Sequence, residues 1–150
     1  MRKLFLSLIV SAALIVPATA VLAHGPGTYE SPIVEQRVER FKQSGADIQA
    51  IFKNHMGAGN FVAIDKAAEL MAAWGKEMPD FFPAGSNSVG ADQAIWKNFP
   101  DFEIKADAFA IAATELKAAA ASGNAGTVKK AAQAVGGTCK SCHQSYRIKH

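Results

Sequence analysis

Near the C-terminus stand Cys139-Lys140-Ser141-Cys142-His143, and Cys-x-x-Cys-His is the attachment signature of a c-type haem. The chemistry needs two thiols that add to the two vinyl groups of the porphyrin and an imidazole beside them that coordinates the iron from one side. In a helix, Cys139 and Cys142 lie at i and i+3 and His143 at i+4, so the three side chains share one face. A flat macrocycle can rest against that face, and the rest of the chain must then supply walls for its other sides. The reading is one haem c per chain, held covalently.

Other chemistries use the same residues. Two cysteines three apart can form a disulfide or a dithiol redox pair, although the redox pair expects a thioredoxin-like strand and helix context, and nothing in the sequence looks like a βαβ unit. A zinc site needs four ligands, and only His24, His55 and His150 remain to complete one.

The N-terminus carries a second signal. Arg2 and Lys3 precede an apolar run from Leu4 to Val16, followed by small residues at Ala18-Thr19-Ala20 and Val21-Leu22-Ala23. This is the layout of a secretory signal peptide. Residues 1–23 are expected to be removed, with cleavage after Ala23 preferred to cleavage after Ala20, and residues 24–150 to form one domain. The run is short for a membrane span, and no later stretch approaches the roughly 20 apolar residues that spanning requires. The mature protein is therefore expected in the periplasm, the compartment in which haem is joined to thiols. Loss of Arg2 and Lys3 lowers the sixteen basic residues to fourteen against thirteen acidic ones. A nearly neutral domain gives no case for nucleic-acid binding.

Four segments carry apolar residues at alternating spacings of three and four, the pattern of helices packed at a shallow angle. The first, with Ser31 as N-cap and Pro32 in the first turn, reads Val34, Val38, Phe41, Gly45, Ile48, Phe52. The second reads Ile64, Ala67, Met71, Trp74, Met78. The third, starting near Asn98 to Pro100, reads Phe102, Ala106, Phe109, Ala113, Leu116, Ala120. The fourth, starting near Asn124 to Thr127, reads Val128, Ala132, Val135, Cys139, Cys142, Tyr146. Short glycine-containing links at 55–60 and 122–126 join antiparallel neighbours. The longer link from Pro79 to Asn98 holds Phe81, Phe82, Pro83 and Trp96 and reads as an ordered flap on the bundle. The expected fold is all-α: an antiparallel up-down-up-down four-helix bundle with covalent haem in its interior.

These residues together resemble the cytochromes c′, class II c-type cytochromes built as four-helix bundles with haem near the C-terminus. The likeness spans essentially the whole chain after the signal. It is most specific over Val135-Gly136-Gly137-Thr138-Cys139-Lys140-Ser141-Cys142-His143-Gln144-Ser145-Tyr146-Arg147. Phe82-Pro83-Ala84-Gly85, Ile95-Trp96 and the Arg37, Phe41, Gly45 series support it. Class I cytochromes c carry the motif near the N-terminus and match poorly.

The resemblance implies roles for particular residues. Cys139 and Cys142 attach haem and His143 ligates iron. Phe41 stands where the family has an apolar distal residue; low-spin relatives have a ligating methionine there, and phenylalanine cannot coordinate. Five-coordinate iron follows. His55 and Met56 lie on the order of 20 Å further along a helix, and Met71 and Met78 read as core filler. Arg37 matches a residue near a haem propionate, with Val38 beside it at the haem edge. Arg147 matches an arginine of the proximal pocket, and alignment through Ile95-Trp96 brings Gly90 into a loop approaching the haem. The implied function is binding of diatomic gases, nitric oxide and carbon monoxide, with ferric–ferrous cycling. The nearest alternative is electron transfer through a six-coordinate haem to a periplasmic redox partner. A haem-free dithiol or zinc protein is the alternative of another class. No paired carboxylates or nucleophile–base arrangement suggests an enzyme. The family also includes homodimers formed through helix faces, for which the first two helices are the candidates.

Overall fold

The computed structural model describes residues 31–148; the expected signal segment 1–23, His24 and His150 lie outside them. Four long helices and one short one account for most of this length: α1 Pro32–Ala50, α2 Phe61–Glu77, α3 Ala94–Lys97, α4 Phe99–Ala121 and α5 Ala125–Tyr146. Among the described residues there is no strand, only an isolated antiparallel bridge between Ala91 and Arg147. No helix among them is long and apolar enough to cross a membrane.

The helix starts follow from capping chemistry. The Ser31 hydroxyl accepts a hydrogen bond from the Val34 amide at 3.4 Å, with Pro32 in the first turn. Asn60 accepts from Ala63 at 3.1 Å, and Asn124 from Thr127 at 2.9 Å. Each cap satisfies an amide that the helix itself leaves without a partner. Gly123 takes φ +67° in the tight turn between α4 and α5, a left-handed conformation that glycine adopts without steric cost. Such short turns set neighbouring long helices antiparallel, giving the four-helix bundle.

The core is built mainly by α2, α4 and α5. Ile64, Met71, Trp74 and Met78 of α2 and its following turn, Phe102, Ala106, Phe109, Ala113, Leu116 and Ala120 of α4, and Val128, Ala132, Val135 and Tyr146 of α5 are all buried, as their spacing predicts; Ala67 of the predicted stripe is only half-buried, and Ala68 beside it is fully buried. The closest approach joins α2 to α4: a Cβ built on Gly75 would stand 2.8 Å from the backbone and Cβ of Ala110.

The first helix departs from its predicted face. Phe52, expected in the stripe, is 43% exposed, while Ile51 is fully buried. The Ile51 amide still bonds to the Asp47 carbonyl in α-helical fashion, and Ile51 lies about four turns beyond the buried Arg37, on the same face. A π-helical turn over Ile51–His55 begins only there, with the Met56 amide bonded to the Ile51 carbonyl at 3.0 Å.

The long connection is ordered, as its apolar content predicts. A 3₁₀ turn at Met78–Phe81 carries Phe82 into the core. The Trp96 indole donates to the carbonyls of Phe82 at 3.0 Å and Pro83 at 3.1 Å. At its far end the connection is tied to the tail beyond α5: the Asp92 amide donates to the Tyr146 carbonyl at 3.0 Å, and the Ile148 amide to the Gly90 carbonyl at 3.2 Å.

Candidate functional site

Along their lengths α1 and α5 barely touch, whereas α2 packs extensively on α4 and α4 on α5. The α1–α5 flank is therefore an open slot, with Phe41 of α1 on one side and, on the other, His143 of α5, which follows Cys139 and Cys142. Cys139 and Cys142 are half-buried on α5, packed against the core cluster. Burial pushes both thiols up, Cys142 to about 11 despite the nearby Lys105 cation. His143 follows on the same face. Desolvation lowers its pKa, and the Arg147 cation adds to the effect, so the imidazole favours the neutral form that a metal ligand requires.

Across the slot, Phe41 of α1 faces His143 with 6.4 Å between ring centroids and 63° between their planes. The two rings thus meet edge to face, with the imidazole on one wall and a hydrocarbon ring on the other. The Phe41 ring is held by two aromatic neighbours, Trp74 at 5.3 Å and Phe82 at 6.3 Å, both edge-on. Behind them Phe81 meets Trp74 at 5.3 Å, and the Arg40 guanidinium lies 5.7 Å from the Trp74 ring. This wall is apolar.

Arg37 is the most unexpected member. It is 1% exposed, the only buried charged side chain among the described residues. Its guanidinium donates to the Phe81 carbonyl (3.1 Å), the Ser86 hydroxyl (2.9 Å), the Ser86 carbonyl (2.5 Å) and the Ser88 hydroxyl (3.0 Å). It also stacks 4.3 Å above the Phe82 ring. The acceptors are all neutral, and no carboxylate pairs with it among the described residues. Burial accordingly lowers its pKa. The sequence reading placed Arg37 near a propionate and did not foresee that it also pins the long connection to α1.

Val38 is half-buried beside Arg37. Gly90 lies in the segment paired with the tail, and a Cβ there would meet no protein atom within 4 Å. Arg147 caps α5, its amide donating to the His143 carbonyl at 3.3 Å. Met71 and Met78 are core residues of α2 and its following turn. Among the described residues no three His, Cys, Asp or Glu side chains converge to hold a metal ion, which leaves the zinc reading without its remaining ligands there. Two polar features went unread in the sequence. Tyr146 donates to the Asp101 carboxylate at 2.6 Å, and the Trp74 indole nitrogen is buried with no hydrogen-bond partner.

The arrangement thus offers two thiols and a neutral imidazole on one wall, an aromatic wall opposite, and a buried cation at one edge. These residues fit a covalently held haem. Comparison with known proteins agrees. The family model described as Cytochrome C' matches residues 32–147. A cytochrome c-556 of Agrobacterium tumefaciens is 35% identical over 119 residues, covering 77% of this chain and 97% of that one. A cytochrome c' of Pararhodospirillum photometricum is 34% identical over 120 residues, covering 76% and 94%. The crystal structure of cytochrome c' from Thermochromatium tepidum superposes with a TM-score of 0.73 at 30% identity, covering 78% of this chain and 95% of that one. A nitric oxide complex of a cytochrome c prime variant from Alcaligenes xylosoxidans shares the fold, with a TM-score of 0.70 at 23% identity over 81% of this chain and 100% of that one. The chain belongs to the cytochrome c′ family, whose proteins carry covalently bound haem c.

Proposed function

We propose that this chain is a periplasmic monohaem cytochrome whose iron has one protein ligand and whose open side takes nitric oxide or carbon monoxide. When bound, the haem supplies a coordination position for a diatomic ligand and a one-electron ferric–ferrous couple. Cys139 and Cys142 tether it, and His143 holds its iron from the proximal side. Burial, and to a lesser degree the Arg147 cation one helical turn on, disfavours the protonated imidazole.

The observation that carries this reading is the Phe41 ring standing opposite His143 at 6.4 Å. A hydrocarbon ring occupies the position from which a sixth protein ligand would act. It excludes water and larger anions, and it has no proton to offer a ligand. Bound dioxygen carries partial negative charge and profits from a charge-assisted hydrogen bond worth about 1.5–3 kcal/mol. Nitric oxide and carbon monoxide depend less on such a bond, so the wall presented by Phe41 favours them. Entry requires that the ring move, which makes association slow. A nitric oxide complex exists for the Alcaligenes xylosoxidans variant of the same fold, which lends support to the ligand class.

Arg37 supports the same assignment. A buried guanidinium with only neutral acceptors is poorly compensated, and a haem propionate nearby would supply the missing negative charge, with the Nε–H as the one donor not already engaged. Optical spectra of the ferrous protein before and after nitric oxide test the reading. A high-spin spectrum that changes on gas addition is expected; a low-spin, six-coordinate spectrum without added ligand overturns it.

A further inference from the structure

Trp74 carries a hydrogen-bond donor for which the folded chain provides no acceptor. The residue is 2% exposed, and its Nε1 atom is inaccessible and unpartnered. Trp96 shows what a tryptophan does when its N–H serves the fold, donating to two carbonyls. Buried indoles usually find such a partner, and phenylalanine would fill much of the same space without an orphaned donor. The nearest rings, Phe41 at 5.3 Å and Phe81 at 5.3 Å, offer no lone pair, and the neighbouring Arg40 is itself a donor.

The position of this donor is specific. Phe41 contacts Trp74 on one side and faces His143 on the other, so the indole stands one aromatic ring behind the distal wall. Because Phe41 touches both rings, turning it aside would open the side of the indole toward the side of His143. We propose that Trp74 is a concealed distal donor: when Phe41 swings away to admit a diatomic ligand, the indole N–H becomes the hydrogen-bond partner of the ligand's outer atom. Until then Phe41 keeps water from the N–H. Trp74 so tempers the discrimination against ligands whose outer atom carries negative charge, dioxygen among them. The inference rests on the gas-binding reading above.

Carbon monoxide is the probe, read by the infrared C–O stretch of the ferrous, haem-loaded protein in H₂O and D₂O. The expected wild-type band shifts on deuteration. In Trp74→Phe that shift is lost, the band moves to higher frequency, and carbon monoxide dissociates about 2- to 10-fold faster, the value of one neutral hydrogen bond. A wild-type band indifferent to deuterium, or a Trp74→Phe band identical to wild type, overturns the proposal. Failure to form any carbon monoxide adduct overturns the gas-binding reading instead. Should Trp74→Phe not fold, indole N–H exchange in ¹⁵N-labelled wild-type protein decides. Slower Trp74 exchange with carbon monoxide bound than without it supports the donor, and unchanged exchange sinks it.

Discussion

Phe41 of α1 and His143 of α5 face one another across 6.4 Å between ring centroids, on two helices that otherwise scarcely meet. Removing the ring opens the distal wall without touching the proximal one. Phe41→Ala is expected to raise the carbon monoxide association rate, read by flash photolysis, while the proximal ligand stays in place. The stability cost should fall below the roughly 3–5 kcal/mol of a fully buried phenylalanine, because the ring is only half-buried. An unchanged association rate would show that Phe41 is no gate.

Arg37 joins α1 to the long connection through four hydrogen bonds. Arg37→Ala leaves the half-buried carbonyls of Phe81 and Ser86 without this donor and is expected to cost about 2–4 kcal/mol, since bonds to charged groups are worth more than neutral ones. Arg37→Lys should recover little, for an ammonium cannot reproduce the forked geometry. Urea unfolding measures the loss, and limited proteolysis should locate new cuts between residues 81 and 88.

Gly75 has no room for a side chain. Gly75→Ala places a methyl carbon 2.8 Å from the Ala110 backbone and forces α2 and α4 apart. Overpacking of this kind costs about 1–3 kcal/mol, against a gain in helix propensity of about 1 kcal/mol. A net drop in the thermal midpoint is expected; an increase would mean that the helices separate freely.

Tyr146 should titrate late. Burial and the bonded Asp101 carboxylate push its phenol from 10.0 up to about 12. Between these values the folded state holds a proton that the unfolded state has released, so stability falls as pH rises through that window and is fully present below it. Tyrosinate absorbance should show one residue ionising near the upper value. In Tyr146→Phe that late step disappears, and stability over the same pH range becomes flatter.

Replacing both Cys139 and Cys142 by serine removes the covalent tether. The exported protein is then expected to lose its haem stain on a denaturing gel, whereas wild type keeps it. Retention of the stain in the double variant would place the attachment elsewhere.

Much of this could be read from the letters. The faces of α2, α4 and α5 were legible because Met71, Phe109 and Val135 recur at true helical spacing and are buried where that spacing puts them. The haem signature was legible because its chemistry is local. The Phe52 error arose because the buried face of α1 runs through Arg37, a charged residue that an apolar pattern passes over, to Ile51. Arg37 was legible as a site residue through resemblance alone. Its role in holding the connection was not, because its acceptors lie 44 to 51 residues downstream. The orphaned donor of Trp74 is invisible to any sequence pattern, since it consists of what the surrounding fold fails to supply.

The wide turn at Ile51–His55 acts as a one-residue phase corrector. A π-turn takes up one residue more than an α-turn, so deleting one position there would restore uninterrupted α-helical winding and leave the side chains on either side near their present faces. Ile51 marks the point up to which α1 is registered against Phe41 and the distal wall; beyond it, the register belongs to the α1–α2 link. A one-residue change within this turn can therefore be absorbed there, whereas one between Phe41 and Ile51 rotates the Phe41 wall by about 100° relative to the buried Ile51.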